Sequence, residues 1–502
     1  MVAVDEQRPE PMPSQASNGR AFDRKYANRT LVIFAVLSAT VMYVEIMLTP
    51  SLPRISLDYK IDAAQASLIL SLYTVFGTAI NPIVGKLGDI YGKKKILMYV
   101  LTAYTAMVTL TSFAPNYTVL LISRTFQGVG LGIFPLAFSL VREQFPRDLI
   151  PRAQGMVSAM FGAGLALGLP IGALVANTWG WQANYHIATP FIIGLTIISF
   201  IAVRESVYRN PEAKMDYVGA TILGGALALI VLGLSEGANW GWYSRPVLSM
   251  LIIGAVLFVP LVMAERRISH PLLDFKQLAE RNVLVSNVVG AIVGIGMLLT
   301  FQSIVYQLEN PAPSGFGFDI FTGGLYLLPM AITMLVIMMP VGMMIPKVGT
   351  KPFIFAGGII GSLGFLLLST ATKSIQIPEF MIVASIGMAM LMASIQNLLV
   401  LSVKPQEMGL ATAMNTVFRN VGSSLGAPIA GSILSTFTVM ISLGPLGLQP
   451  FPTHTAYVYS YYVAAIAFAL AFVAALFAHE VMGKRAKAKY VNVMSTSNGN
   501  GK

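Results

Sequence analysis

The sequence predicts an all-α polytopic membrane protein of fourteen spans: two six-helix bundles with two extra transmembrane helices between them. Three observations predict it. Hydrophobic residues make up 55% of the 502, charged ones only 11%, and the mean hydropathy is +0.70. Apolar runs of about twenty residues recur along the chain, each long enough to cross about 30 Å of hydrocarbon as a helix. The basic residues fall in short loops on alternate sides of those runs, as the positive-inside rule requires.

Taken in order, residues 1–30 are polar and lack the apolar core of a cleaved signal. They read as a disordered cytoplasmic tail, with the first span serving as the signal. Six spans lie near 31–50, 64–84, 96–113, 117–141, 153–176 and 186–203. Two more lie near 217–234 and 246–264, and six near 283–306, 321–345, 352–370, 380–401, 409–436 and 457–478. Helices are required because lipid leaves no partner for an open backbone, and no barrel alternation is present. The organisation is an N-terminal bundle (31–204), the extra pair with its flanking loops (205–281), a C-terminal bundle (282–480) and a basic tail (481–502).

Of the 33 Lys and Arg, 27 fall on the side of the two termini, and only Arg54, Lys60, Arg245 and Lys373 on the other. Arg124 and Arg419 lie inside spans. This asymmetry places both termini in the cytoplasm of a cell with the chain in its plasma membrane. It also accounts for the net charge of +11 without nucleic acid. With no cysteine, disulfides and thiolate metal sites are excluded. No G-x-x-x-x-G-K-[ST] loop marks an ATP-driven pump. The histidines (His186, His270, His454, His479) are scattered at span edges and in loops, which argues against an intramembrane enzyme, and His186 reads as an interfacial residue.

The loop "GKLGDIYGKKK" (85–95) crowds charge into a tight turn and has a faded copy 257 residues on. Gly85, Gly92 and Lys94 return as Gly342, Gly349 and Lys351, with Pro346 in place of Asp89. A second echo lies 258 residues apart, "GLALGLPIG" (164–172) against "GSSLGAPIAG" (422–431). Gly164–Gly168 and Gly422–Gly426 allow close helix contact, and Pro170 and Pro428 favour kinks. Gly172 completes the first copy. Two echoes at almost one offset imply duplicated halves, with a solute site between them.

With these motifs the chain resembles the major facilitator superfamily, and within it the fourteen-spanner drug:proton antiporter branch. "GKLGDIYGKKK" resembles the family's loop between helices two and three, and "RTFQGVG" (124–130) its helix-four motif. "NTWGWQANYHIATP" (177–190), "SEGANWGW" (235–242), "HPLLDFKQLAERN" (270–282), "TGGLYLLPMAI" (322–332) and "NTVFRNVGSSLG" (415–426) match further positions between 31 and 480. The resemblance implies secondary active transport by alternating access, most simply proton-coupled efflux of amphiphilic drugs or small organic compounds. It implies no cofactor beyond the proton gradient. Its partners would be a small-molecule substrate, protons and the bilayer, with the monomer as the functional unit.

The resemblance also implies a conformational latch on the cytoplasmic side, carried by Gly85, Gly88, Asp89, Gly92, Lys93 and Lys94. Asp89 would bridge the halves, with Arg142 as its natural partner. The bland alternative for the lysines is a topology anchor. Within the spans Glu45 is the only acid well inside. Counted along the helices it lies about 21 Å, and Arg124 about 10 Å, from opposite faces, so the two share a depth. A carboxylate beside a cavity with a cation near can exchange protons as its surroundings change from wet to dry. The alternative is a static ion pair stitching two helices. The branch usually carries its acid at the position of Val44, so Glu45 is turned by about 100°. The helix-five motif also has its proline displaced by one.

Arg419 has no obvious acidic partner and is expected to stay hydrated or to meet an anionic substrate group. Asn415 lies one turn before it. Asn81, Gln127, Gln302, Gln396 and Asn397 are cavity candidates or helix–helix hydrogen-bonders, and Tyr43, Tyr73 and Tyr306 either stack on substrate or pack. An exporter or uniporter of one metabolite or organic anion remains the rival function, and a non-transporting sensor on the same fold a remoter one.

Overall fold

The computed structural model describes residues 24–146, 149–206, 209, 216–266, 274–403, 408–442 and 447–481. Both expected tails beyond these limits, and residues 270–273 of the loop motif at 270–282, lie outside the described residues. A helix stands at each of the fourteen expected spans, so the all-helical class holds. Among the described residues, twelve helical segments are long and apolar enough to cross a membrane.

The N-terminal half comprises α1 (Arg24–Ile46), α2 (Leu52–Tyr59), α3 (Ala63–Tyr91), α4 (Lys93–Ser112), α5 (Tyr117–Gln127), α6 (Ile133–Gln144), α7 (Ile150–Trp179) and α8 (Gln182–Ala202). The inserted pair is α9 (Tyr217–Trp240) and α10 (Arg245–Val256), continued as α11 (Phe258–Glu265). After the short α12 (Phe275–Leu278), the C-terminal half contains α13 (Arg281–Glu309), α14 (Ile320–Val348), α15 (Lys351–Ser369), α16 (Gln376–Ser402), α17 (Met408–Thr436) and α18 (His454–Phe477).

Loops start helices with acids and amides. Asp62 accepts a hydrogen bond from Gln65 N at 2.7 Å to begin α3, Asn116 from Val119 N at 3.0 Å to begin α5, and Asp216 from Gly219 N at 2.6 Å to begin α9. Each satisfies a backbone donor that the helix leaves open. Gly92, at φ +107°, reverses the chain from α3 into α4, a conformation that a side chain would strain.

Two expectations need correction, and one feature was not foreseen. Residues from Arg24 onward are already helical, inside the stretch expected as a tail, where Tyr26 donates to Gln144 at 2.5 Å and the Arg204 guanidinium stacks on its ring at 4.1 Å. The fourth span is broken by a 3-10 stretch at Gly128–Gly132. There the backbone of α3 comes so close that a Cβ at Gly128 would lie 2.3 Å from Tyr73 O. The loop between α17 and α18 holds an antiparallel hairpin, β1 (Thr438–Ser442) with β2 (Leu448–Pro452), pairing Thr438 with Pro452 and Met440 with Pro450.

The repeat appears as a repeated contact. Gly164 and Gly168 on α7 lie against the α1 backbone, at Ala39 O and Tyr43 O, and Gly172 against Met47 O. Gly422 and Gly426 on α17 lie in the same way on Ala291 O and Ile295 O of α13. Both glycine stretches therefore bring the fifth helix of a half onto its first. The loop echo is matched too. Glu205, just past α8, accepts from the backbone N–H of Lys94 and Lys95 at 3.0 and 3.1 Å. Glu480, just past α18, accepts from those of Thr350 and Lys351 at 2.8 and 3.0 Å. A carboxylate at a helix N-terminus satisfies its open donors and its dipole.

The halves meet through α3 with α17 and α7 with α14, and α9 packs along the α3–α17 seam. On α9, Leu223, Leu227 and Val231 join Leu68 of α3 and Met414 of α17 in one apolar cluster. Hydrogen bonds between the halves gather at the end remote from the chain termini. Gln302 Nε2 donates to Ala63 O at 2.7 Å, Ala64 N to Ser435 Oγ at 3.0 Å, and the Ser56 and Tyr306 hydroxyls share a bond of 2.6 Å. Toward the other end, Gly155 of α7 and Gly342 of α14 stand in open space.

Candidate functional site

Arg124 is fully buried on α5, and its position is fixed by acceptors rather than by a carboxylate. Its Nη1 donates to Val44 O at 3.1 Å and to Gln127 Oε1 at 2.9 Å, and its Nη2 to Glu45 O. The guanidinium also lies over the Tyr73 ring, 4.5 Å from its centre. Val44 and Glu45 belong to the last turn of α1, whose carbonyls have no helical partner. A planar cation with several forked donors suits that place, and its charge offsets the negative end of the helix dipole. Gln127 extends the network by donating to Thr111 Oγ1 and, at 3.3 Å, to Met107 O of α4.

The expected Glu45–Arg124 ion pair is therefore corrected. Arg124 binds the backbone at Glu45, and no ion pair within 4.0 Å joins it to the Glu45 carboxylate among the described residues. The Glu45 Oε2 atom is buried without a hydrogen-bond partner among the described residues. Without direct contact, its carboxylate still interacts electrostatically with Arg124 and, more weakly, with Arg419 on α17 of the opposite half. Sequence reading left Arg419 without an acid at its depth. The fold supplies one from the other bundle. Neither Glu45 nor Arg419 has an ion-pair partner within 4.0 Å among the described residues, and both keep partial accessibility.

The remaining candidates divide by accessibility. Tyr43, Asn81, Gln396 and Asn397 are half-buried, and Tyr43 OH lies 3.4 Å from Asn184 Oδ1. Tyr73, Gln127, Gln302, Tyr306 and Asn415 are buried. Tyr73 serves Arg124, while Gln302 and Tyr306 are the cross-half bonds at the far end. Asn415 ties α17 to α13 through Ser286 O at 2.9 Å and receives Gln396 Nε2 at 3.2 Å. Asn397 turns back on its own helix at Ala393 O, 2.8 Å away. His186 packs edge-on against Phe113, their centres 5.0 Å apart.

The latch residues also change partners. Asp89 Oδ1 lies 3.1 Å from Lys93 Nζ, across the Gly92 turn, and the same ammonium binds Glu143 Oε1. Glu143 Oε2 in turn accepts from Ser206 Oγ at 2.5 Å. Arg142, expected as the partner of Asp89, is exposed, because one residue along α6 turns it about 100° away from the loop. This chain stays within the N-terminal half. Gly88 lets α3 lie on Leu136 of α6, whereas Gly85 makes only an ordinary contact with Pro135.

Sequence reading missed Glu143, Glu205, Glu480, Asn184 and Ser56. A signal existed for two of them. Glu205 and Glu480 are the first acids after the last apolar run of each half, facing the first helix of each loop echo.

Comparison with known proteins follows this geometry. The family model described as Major Facilitator Superfamily matches residues 33–427 and 314–493. The multidrug transporter protein MdtP of Bacillus subtilis (strain 168) is 25% identical over 425 residues, covering 82% of this chain and 76% of that protein. Multidrug resistance protein 3 of the same organism is 25% identical over 370 residues, 73% of this chain and 71% of that one. Among solved structures, a bacterial homologue of the human lysosomal transporter Spinster, inward-facing and unoccupied, aligns with a TM-score of 0.62. It is 14% identical and covers 91% of this chain and 96% of that one. The human organic anion transporter MFSD10 aligns at 0.56 and 15% identity, over 89% and 99% of the two chains.

Proposed function

The chain belongs to the Major Facilitator Superfamily and is a transporter rather than an enzyme, and on that premise we propose that it exports amphiphilic small molecules in exchange for protons. Fourteen crossings with both termini in the cytoplasm of the plasma membrane fit the basic-residue asymmetry and the helix at each expected span. Two relatives named for multidrug transport support the substrate range.

One observation carries the reading: the acid deepest in the spans is only partly buried, has a carboxylate oxygen with no hydrogen-bond partner among the described residues, and interacts electrostatically with Arg124 of its own half and Arg419 of the other. Rocking of the halves changes its distance from Arg419 and its contact with water. Its proton affinity then depends on which side is open, which is what exchange needs. The hydrogen bonds across the far end, with open glycines toward the other, support an inward-open state as the one described. In that state a latch through Asp89 is disengaged, so its contact with Lys93 is compatible with a bridge formed when the inner end closes.

Reconstitution into liposomes with an imposed pH gradient and a pH-sensitive dye inside tests the proposal. Candidate compounds should move protons in wild-type protein, and Glu45→Gln should transport without proton movement or not at all. Unchanged proton movement in Glu45→Gln would reject the assignment.

A further inference from the structure

A cavity of about 450 Å³ lies at the end of the molecule remote from the chain termini. Ser56, Ala63, Tyr306 and Ser435, which make the bonds between the halves there, line it. Its other walls include Asp62 and Gln65 at the start of α3, Glu236 and Trp240 near the end of α9, and Phe451 of β2. Two carboxylates, Asp62 and Glu236, thus share the space with a single ammonium, Lys60. Among the described residues no ion pair within 4.0 Å engages any of the three. Asp62 is held by Gln65 N at the head of α3, whereas Glu236 is met by amides alone, Asn239 at 3.4 Å and Gln65. Glu236 also stands one turn before the end of α9, where open helix carbonyls disfavour an anion. Trp240, four residues on, shares its face of the helix. A cation between the two would meet a carboxylate and an aromatic ring at once. Leu57, Ile61 and Leu434 add apolar wall.

We propose that this cavity is a second ligand site, which takes an organic cation with an apolar body from the outer side and holds the halves together there. It goes beyond the transport reading and rests on it only for which end faces outward. An anion would meet a net negative lining, and a neutral molecule would leave Glu236 without a cation. An occupant touches both halves and α9, so its binding energy adds to the few bonds between them and favours the joined state. The inserted pair then has a role at the seam, since α9 brings Glu236 and Trp240 to it.

Thr438, exposed in the lining, can be replaced by cysteine in a chain that has none, and labelled on intact cells with a membrane-impermeant maleimide. Benzyltrimethylammonium outside the cells should slow this labelling. Phenylmethanesulfonate, an anion of similar shape, should need at least about tenfold more for the same protection, the factor that 1.4 kcal/mol represents. Added to Thr438→Cys, Glu236→Gln and Trp240→Leu should each lose protection, and Trp240→Phe should keep most of it. Lys60→Asn, at a left-handed position that asparagine tolerates, should lower the concentration needed, an effect that misfolding cannot imitate. Equal protection by the two probes, or full protection in Glu236→Gln, overturns the proposal. Labelling only in permeabilised cells would overturn the outward orientation, while protection there would still uphold the site. On the outer face of proteoliposomes the cation should slow exchange, and unchanged exchange at full protection would remove the holding role. Absence of proton movement with protection intact would sink antiport and leave this site standing.

Discussion

At the scale of single residues, Arg124 shows how a buried charge can be structural. It closes the end of α1 by taking the carbonyls of Val44 and Glu45, so it fixes where the Glu45 side chain starts. Arg124→Ala leaves those acceptors in apolar surroundings, at about 1–3 kcal/mol for each. Arg124→Lys keeps the charge but not the fork, and reaches fewer acceptors. The expected order of melting temperature in detergent is wild type, Lys, Ala. Equal melting of all three would show that the hydrogen bonds contribute nothing. Glu45 itself was recognisable as the only acid deep in a span. Its partner was not, because Arg419 lies 374 residues away and only packing of the halves brings it near.

At the scale of elements, glycine decides which helices touch. A Cβ at Gly422 would stand 2.0 Å from Ala291 O, and one at Gly164 2.3 Å from Ala39 O. Neither neighbour can yield, since both are helix backbone. Gly422→Leu should lower stability by at least the roughly 1–3 kcal/mol of overpacking. Gly155→Leu, in open space on α7, should be nearly silent in the same thermal assay. A Gly422→Leu protein as stable as wild type would refute the close contact. The inserted helix α9 is an element with a place but no repeat. Its Ser235 hydroxyl donates to Ala64 O at 2.8 Å, and Gly224 lies on Ala79, so it rides on α3 beside the seam. The G-x-x-x-G spacings were legible as contact sites. The break in the fourth span was not, because "QGVGLG" is apolar enough to continue a helix and only the approach of α3 bends it.

For the whole molecule, the hydrogen bonds between the halves among the described residues gather at one end. The joining contacts are few and polar: Gln302 to Ala63, Ala64 to Ser435, and Ser56 to Tyr306. A handful of hydrogen bonds, each worth about 0.5–1.5 kcal/mol, is a seal that a moderate ligand energy can break and remake. Cysteines replacing Ala64 and Ser435, in a chain with none of its own, should be joined by a short cross-linker. The cross-link should abolish transport and its reduction restore it. Full transport in the cross-linked protein would mean that this seam does not open during the cycle.

Composition and charge by themselves determined that this chain is a multi-pass membrane protein built of apolar helices. Those properties follow from local physics: hydrocarbon thickness, the cost of an open backbone and the siting of lysine and arginine. Tertiary structure alone decided the partners. Asp89 met Lys93 instead of Arg142, Arg124 met carbonyls instead of a carboxylate, and Glu45 came under the influence of Arg419. A turn of about 100° per residue, or a neighbour from the other bundle, reassigns a charge without altering the pattern in which it was written.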